Sequence, residues 1–297
     1  MSAWTVLGMI EWSRGYLAGK GFENARLEAE LLLSHTLSIP RVGLYTDHDR
    51  VLTAEELARY KGLLKRRLAG EPVQYVTGTA GFMFAEFEVN RSVLIPRPET
   101  EALTEIALKF LGDLAAGTTA HRAGGLLVAD IGTGSGVIAT TIALKVPAAA
   151  VYATDVSAEA VALAERNAQR AGVADRVRFL VGPLFDPLDA AGLRGRLSAI
   201  VSNPPYVRSE DIAGLPSEVR DFEPRVALDG GVDGLDSLRA IAQDGPVFLA
   251  PGGALFLEVG EGQARAVEEM LKPALRDVRA YKDYAGRARI VFGRNDG

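Results

Sequence analysis

The residues best suited to chemistry are Asn203-Pro204-Pro205-Tyr206. They follow Leu197–Ser202, an apolar run that reads as a buried strand. Two successive prolines stop a strand, because neither donates to a ladder and each locks its own φ. The product is a stiff corner at the carboxyl end of a strand, the edge where open α/β sheets bind ligands. The Asn203 side chain offers a carbonyl acceptor, Pro204 and Pro205 keep their main-chain carbonyls, and Tyr206 adds a flat ring with a hydroxyl. A planar NH2 group fits such a corner, with an acceptor for each hydrogen and an aromatic wall alongside. Delocalisation makes an amide or ring amine a poor nucleophile. Acceptors that pull on its hydrogens stabilise the positive charge that develops as it attacks, an oxyanion hole with the signs reversed. The plainer alternative is a proline turn after a strand.

A second constellation lies upstream. Leu126–Asp130 reads as a strand and Gly132-Thr133-Gly134-Ser135-Gly136 as the tight loop after it. Glycines there let backbone approach a ligand closely. Asp155 ends the next strand pattern, nineteen residues beyond Gly136, where a carboxylate accepts from a ribose diol. The pair points to an adenosine-containing ligand without naming it. Counted from Gly132 the dinucleotide fingerprint fails at Val137, whereas counted from Gly134 it passes in relaxed form through Ala139, so the loop alone leaves NAD open. The amine cradle decides between them. A donor that carries both adenosine and an electrophilic methyl is S-adenosylmethionine, so the two constellations together indicate methyl transfer from a sulfonium to a conjugated NH2.

These residues need a scaffold. Val137–Lys145 is a predicted helix, Ala150–Thr154 a strand, Ser157 to Gly172 a second helix with its stop, and Val177–Val181, Ser198–Ser202 and Ala254–Val259 further strands. This strand–helix alternation predicts a parallel sheet with helices on both faces. Val278–Tyr281 and Ala288–Phe292, flanking Gly286, predict two closing strands at an antiparallel edge. Upstream, residues 4–68 read as helical. Trp4, Leu7, Ile10, Arg14 and Leu17 fall at helical spacing, Asn24 is a candidate cap for a helix through Leu27, Leu31, Leu32 and His35, and Thr53 with Glu56 forms a capping-box pattern. The Trp and Leu positions are assigned to the core. Val73–Val76, Phe82–Phe84 and Phe87–Val89 are β-prone and predict a linking hairpin, and Pro98 opens a helix to about Leu111. Arg97, held between two prolines, reads as a surface arginine, with a fixed cation near the site as the alternative. The domain division is therefore 1–71, a helical bundle for partner recognition; 72–96, a β-hairpin; and 97–297, the catalytic domain.

Composition narrows the classes. A net charge of −5 supplies no field for nucleic acid, and a chain without cysteine has no disulfide, thiolate nucleophile or cysteine-based zinc site. His35, His48 and His121 are scattered, so no metal is expected. No apolar run approaches membrane-span length, and Glu11 interrupts any signal-peptide layout, so a cytoplasmic protein is expected. The acidic stretch 208–236 fits no EF-hand spacing and reads as a glycine-jointed lid or a solvated loop.

The chain resembles the bacterial-type release-factor glutamine methyltransferases. The resemblance rests on Pro72-Val73-Gln74-Tyr75, Leu94–Glu101, Asp130–Gly136, Asn203–Val207, Glu223–Leu228, Asp229-Gly230-Gly231 with Gly234-Leu235-Asp236, Leu257–Gly260 and Gly286–Arg289. It implies a Rossmann-like class I methyltransferase fold with a seven-stranded sheet, and methylation of the side-chain nitrogen of the Gly-Gly-Gln glutamine in class 1 peptide-chain release factors. It also implies that Gly132, Thr133, Gly134, Ser135, Gly136, Asp155, Leu184 and Asn203 hold S-adenosylmethionine, which leaves as S-adenosylhomocysteine. Asn203 and the Pro204 carbonyl would hold the glutamine amide, with Pro205 and Tyr206 beside it. Pro183 stands where many such enzymes carry an acidic residue for the adenine amine, leaving Leu184 and Phe185 to pack on the adenine. A monomer with no direct nucleic-acid or membrane partner is expected. The alternatives are methylation of a ribosomal-protein glutamine or of adenine N6 in DNA, and a non-catalytic release-factor-binding module.

Overall fold

The computed structural model describes residues 4–117 and 125–297; His121 lies outside them. Five helices come first: α1 (Val6–Ala18), α2 (Ala25–Leu37), α3 (Gly43–Thr46), α4 (Ala54–Leu68) and α5 (Val73–Thr77). Next are β1 (Thr79–Phe82), β2 (Ala85–Glu88), α6 (Pro98–Gly117), β3 (Leu126–Ile131), α7 (Val137–Lys145), β4 (Ala149–Asp155), α8 (Ala158–Arg170) and β5 (Val177–Val181). The chain continues with α9 (Asp186–Ala190), β6 (Leu197–Ser202), α10 (Ser217–Arg220), α11 (Asp236–Asp244), β7 (Leu249–Glu258), α12 (Ala264–Leu271), β8 (Arg276–Lys282) and β9 (Ala288–Arg294). Two compact units result, one of Met1–Thr79 with Pro216–Phe222 and one of Ala80–Leu215 with Glu223–Gly297. The first thus takes a piece of the 208–236 stretch that a linear division does not give it.

The first unit is helical, as expected. The Thr53 hydroxyl accepts from Glu56 N–H while the Glu56 carboxylate accepts from Thr53 N–H, the predicted capping box opening α4. On α1 the core face is Val6, Met9, Ile10, Ser13 and Leu17. Trp4 (40% exposed) and Leu7 (38%) fall outside it, and so does Leu27 on α2, correcting their assignment to the core. Trp12 instead stacks on Tyr16 at 5.1 Å and meets Trp4 edge-on at 6.0 Å. The expected strand at Val73–Val76 is the helical turn α5. Its β-branched residues lose to tertiary contacts, because the Arg66 guanidinium binds the carbonyls of Tyr75 and Val76 and Gly78 stops the turn at φ 77°. Only β1 and β2, joined by a two-residue turn at Met83-Phe84, form the hairpin. Arg67 is buried at the centre of this unit. Its Nε donates to Glu28 at 2.6 Å, its Nη2 donates to Glu218 at 2.5 Å, and its guanidinium lies 4.2 Å from the centre of the Phe22 ring.

The second unit is built on a seven-stranded sheet in the order β5-β4-β3-β6-β7-β9-β8. β3 through β7 pair in parallel. β9 runs antiparallel to both β7 and β8, so the reversal is confined to one strand inserted next to the edge. Alternation decides the two faces. Leu126 and Val128 pack with α6, α7 and α8, while Ala129 and Ile131 pack with α9, α11 and α12. β6 is buried along its whole length, which is why it reads as a continuous apolar run rather than an alternating one.

Removing one partner of a buried ion pair strands the other charge at a cost of roughly 3–5 kcal/mol. Arg67→Ala is therefore expected to destabilise the helical unit by that order, measured by urea unfolding followed at the tryptophans; an unchanged midpoint would refute the assignment.

Candidate active site

Strand register brings the chemical residues together. Ile131 is aligned with Thr154 on one side and with Ser202 on the other, and Ser202 is aligned with Leu257. Gly132, Asp155, Asn203 and Glu258 therefore all emerge at the carboxyl ends of adjacent parallel strands. Main-chain bonds lock this edge, since the Thr154 carbonyl accepts from Gly132 and Thr133 N–H at 2.9 Å and the Ser202 hydroxyl donates to the Ile131 carbonyl at 2.6 Å.

A cleft opens there, with a non-atom volume of about 890 Å3 including its solvent mouth. Gly132, Thr133, Gly134, Ser135, Asp155, Leu184, Asn203 and Pro205 all line it. The glycine loop needs left-handed backbone, with φ of 73° at Gly132 and 56° at Gly134. Gly136 is different. It is left-handed too, at φ 78°, but it caps α7 and is absent from the cleft lining, and a Cβ there would stand 2.8 Å from that of Ala164, so close packing against α8 is a second requirement. Asp155 accepts from Gly134 N–H and Ser157 N–H, both at 2.9 Å, and each oxygen retains a second acceptor site. Leu184 lines the cleft at φ 42°, its carbonyl held by the Thr154 hydroxyl at 2.9 Å. Phe185 does not join it; it is buried and stacks on Phe248 at 5.0 Å in the core against which Leu184 also packs, and Val156 also lines the cleft.

Three polar groups that periodicity does not reveal hold this loop and corner. Asp130, fully buried, accepts from the Thr133 hydroxyl at 2.6 Å and from Ala139 N–H at 3.1 Å, tying the loop to α7; burial pushes its carboxyl up to about 7. Asn167 on α8 donates to the Ser135 carbonyl at 2.9 Å and exchanges two bonds with Glu88, joining the loop to the hairpin. Glu258 accepts from the Thr100 hydroxyl at 2.7 Å and the Tyr206 hydroxyl at 3.1 Å, and Thr100 accepts from Asn203 Nδ2 at 2.9 Å. The Asn203 oxygen takes no hydrogen bond from the described residues, and Asn203 lines the cleft. Tyr206 contributes its ring to the core beneath the corner and does not line the cleft, and Pro204 is buried. Burial and the Glu258 carboxylate raise the Tyr206 phenol well above its ordinary value, so it remains a donor.

The stretch 208–236 is fastened down. Arg97, read as a surface residue, pairs with Glu223, which also accepts from Ile95 N–H. Its other acids pair with arginines as well: Asp211 with Arg208, Glu218 with Arg67, Asp221 with Arg220, Asp229 with Arg225, and Asp233 and Asp236 with Arg239. No His, Asp or Glu cluster among the described residues is arranged to hold a metal. Gly230 and Gly234 serve close approach, because a Cβ on Gly230 would lie 2.8 Å from the Tyr206 Cα and one on Gly234 would lie 2.5 Å from the Tyr206 carbonyl oxygen.

Comparison with known proteins agrees with this architecture. Residues 9–78 match the family described as PrmC N-terminal domain, and residues 118–215 match the methyltransferase small domain. A Geobacter sulfurreducens protein named release factor glutamine methyltransferase is 46% identical, covering 98% of this chain and 97% of the relative. A Chlorobaculum tepidum protein of the same name is 40% identical, covering 95% and 94%. Among solved structures, the hMettl16 catalytic domain aligns with a TM-score of 0.54 at 16% identity over 82% of each chain, a likeness of fold.

The pH dependence of stability follows from Glu258. Burial pushes its carboxyl from the ordinary 4.5 up to about 7, with Glu99 adding to the shift and Thr100, Tyr206 and Arg289 opposing it. As pH falls, the folded protein takes up this proton before the unfolded chain does. The burial penalty is thus absent below about 4.5, grows between there and about 7, and is constant above. Glu258→Gln, neutral throughout, is expected to exceed the parent in stability by up to about 3 kcal/mol at pH 8 and to match it near pH 5. Urea unfolding at the two pH values checks this, and equal offsets at both would contradict it.

Proposed function

The chain belongs to the release factor glutamine methyltransferase family, and from that premise we propose how its residues carry out methyl transfer from S-adenosylmethionine to the side-chain amide nitrogen of a release-factor glutamine. The observation that carries the reading is that Asn203 and Pro205 line the same cleft as the Gly132–Ser135 loop and Asp155. S-adenosylmethionine supplies an electrophilic methyl on a sulfonium. The residues fit such a donor: a left-handed glycine loop open to backbone contact, a carboxylate at Asp155 with acceptor capacity left for a ribose diol, and apolar Leu184 and Val156 for a purine face. Pro183 itself supplies no carboxylate beside Leu184, and the purine would be held there by packing on Leu184 and Val156.

On the acceptor side, Asn203 Oδ1 and the Pro204 carbonyl would each take one hydrogen of the glutamine amide, turning the nitrogen lone pair toward the methyl. Holding two reactants in near-attack geometry accounts for roughly 7–11 kcal/mol of a barrier of this kind. The acceptors then stabilise the positive charge that builds on nitrogen. Glu258 is not the base. It is buried and both its oxygens already accept hydrogen bonds, so the proton leaves to solvent after transfer. We assign the substrate as the glutamine of the Gly-Gly-Gln motif in class 1 release factors, the helical unit as the partner-recognition element, the protein as a monomer and its place as the cytoplasm. No helix among the described residues is long and apolar enough to cross a membrane.

Asn203→Ala is expected to lower the single-turnover rate about 10²–10³-fold, with S-adenosylmethionine affinity little changed. The assay uses labelled methyl donor with release factor, ribosomal protein and DNA in parallel. Near-parental turnover by the variant would sink the cradle, and labelling of ribosomal protein or DNA instead would sink the substrate assignment.

A further inference from the structure

We propose that Glu258 and Thr100 are positioning residues that fix which end of the Asn203 carboxamide faces the substrate. The inference rests on the amine cradle proposed above. A carboxamide has two ends of nearly equal shape and opposite polarity. With Oδ1 forward it accepts from a substrate NH2; with Nδ2 forward, donor meets donor and the cradle repels what it should hold. Nothing in an asparagine chooses between the two.

The chain of hydrogen bonds behind Asn203 makes the choice. The Thr100 hydroxyl has one proton, and it goes to Glu258 Oε2 at 2.7 Å. What Thr100 then presents to Asn203 is a lone pair, and only Nδ2 can meet it, at 2.9 Å. The polarity of a carboxylate is thus passed through one hydroxyl to a carboxamide, leaving Oδ1 outward. The other oxygen of Glu258 accepts from the Tyr206 hydroxyl, so one carboxylate braces the Asn-Pro-Pro-Tyr corner at both ends. Because both oxygens already accept, a proton on Glu258 would have to displace one of these bonds.

The placement is built in rather than incidental. Alignment of Ser202 with Leu257 sets Glu258 beside Asn203, fully buried, and Thr100 stands in the first turn of α6, buried at the wall of the cleft. A buried carboxylate is costly, and apolar replacements of buried charged groups are often as stable or more so. A residue kept at such a site without a cationic partner in hydrogen-bond contact has orientation as its return.

The test uses the full chain with S-adenosylmethionine and a full-length release factor. Thr100→Val keeps the shape and removes the hydroxyl. Loss of a residue that orients a direct ligand commonly costs about 10–100-fold, so kcat should fall by that factor while KM for release factor and the affinity for S-adenosylmethionine stay near the parent's. Thr100→Ser should restore kcat. In an Asn203→Ala background, Thr100→Val should cost nothing further, because there is no carboxamide left to orient. Should Thr100→Val fail to fold, Glu258→Met carries the same expectations. Parental kcat in Thr100→Val, failure of Thr100→Ser to rescue, or a full additional loss in the Asn203→Ala background would each overturn the proposal. A slow Asn203→Ala with a fast Thr100→Val sinks the relay alone, whereas a fast Asn203→Ala sinks the cradle beneath it.

Discussion

The site depends on the register of four parallel strands. With Ile131 level with Thr154 and Ser202, and Ser202 level with Leu257, the loop, the carboxylate, the proline corner and the buried acid all leave the sheet at one height. Side chains alternate along a strand, so a slip of one residue between β3 and β6 would exchange the two buried faces of β6 and swing Asn203 from the cleft. Burial of every residue of β6 makes such a slip prohibitive, because it would leave apolar groups on both faces without partners. Precision at the edge is inherited from packing in the middle of the sheet.

Much of this was legible before any coordinates. Glycines at 132, 134 and 136, the paired prolines at 204 and 205, the Thr53–Glu56 box and the strand–helix alternation are local signals. Each restricts φ, removes a donor or supplies a cap within a few residues. What escaped is non-local. Thr100 and Glu258 are 158 residues apart in the chain and touch only because the sheet brings them together. Asp130 and Asn167 are likewise polar residues in apolar surroundings, with no periodicity of their own. Val73–Thr77 misled because its β-branched residues express a preference that Arg66 overrides. Phe185 misled because adjacency to Leu184 suggested that both reach the cleft, whereas Phe185 is taken up in the core by stacking on Phe248.

Charge is used in two ways. At the surface, acids and arginines pair across short loops, and such exposed pairs contribute little each. Inside, Asp130 and Glu258 are held without a salt bridge, by hydroxyls and, at Asp130, a main-chain N–H. Groups of that kind do not add stability; they direct neighbouring dipoles. The stretch after Tyr206 belongs with them, since Gly230 and Gly234 let backbone press against the corner and Gln263 bind the carbonyls of both Tyr206 and Gly234.

The ion pair between Arg67 and Glu218 joins residues 151 positions apart within one compact unit. During synthesis at about 5–20 residues per second, the helical unit emerges roughly 8–30 s before its last piece does. Over that interval Arg67 has Glu28, the Glu71 carbonyl and the Phe22 ring as company, but not its second carboxylate. The unit at the amino end is therefore not finished until its last piece, Pro216–Phe222, is made, and a nascent chain halted before residue 218 carries an incomplete bundle, whatever the state of its first seventy-nine residues.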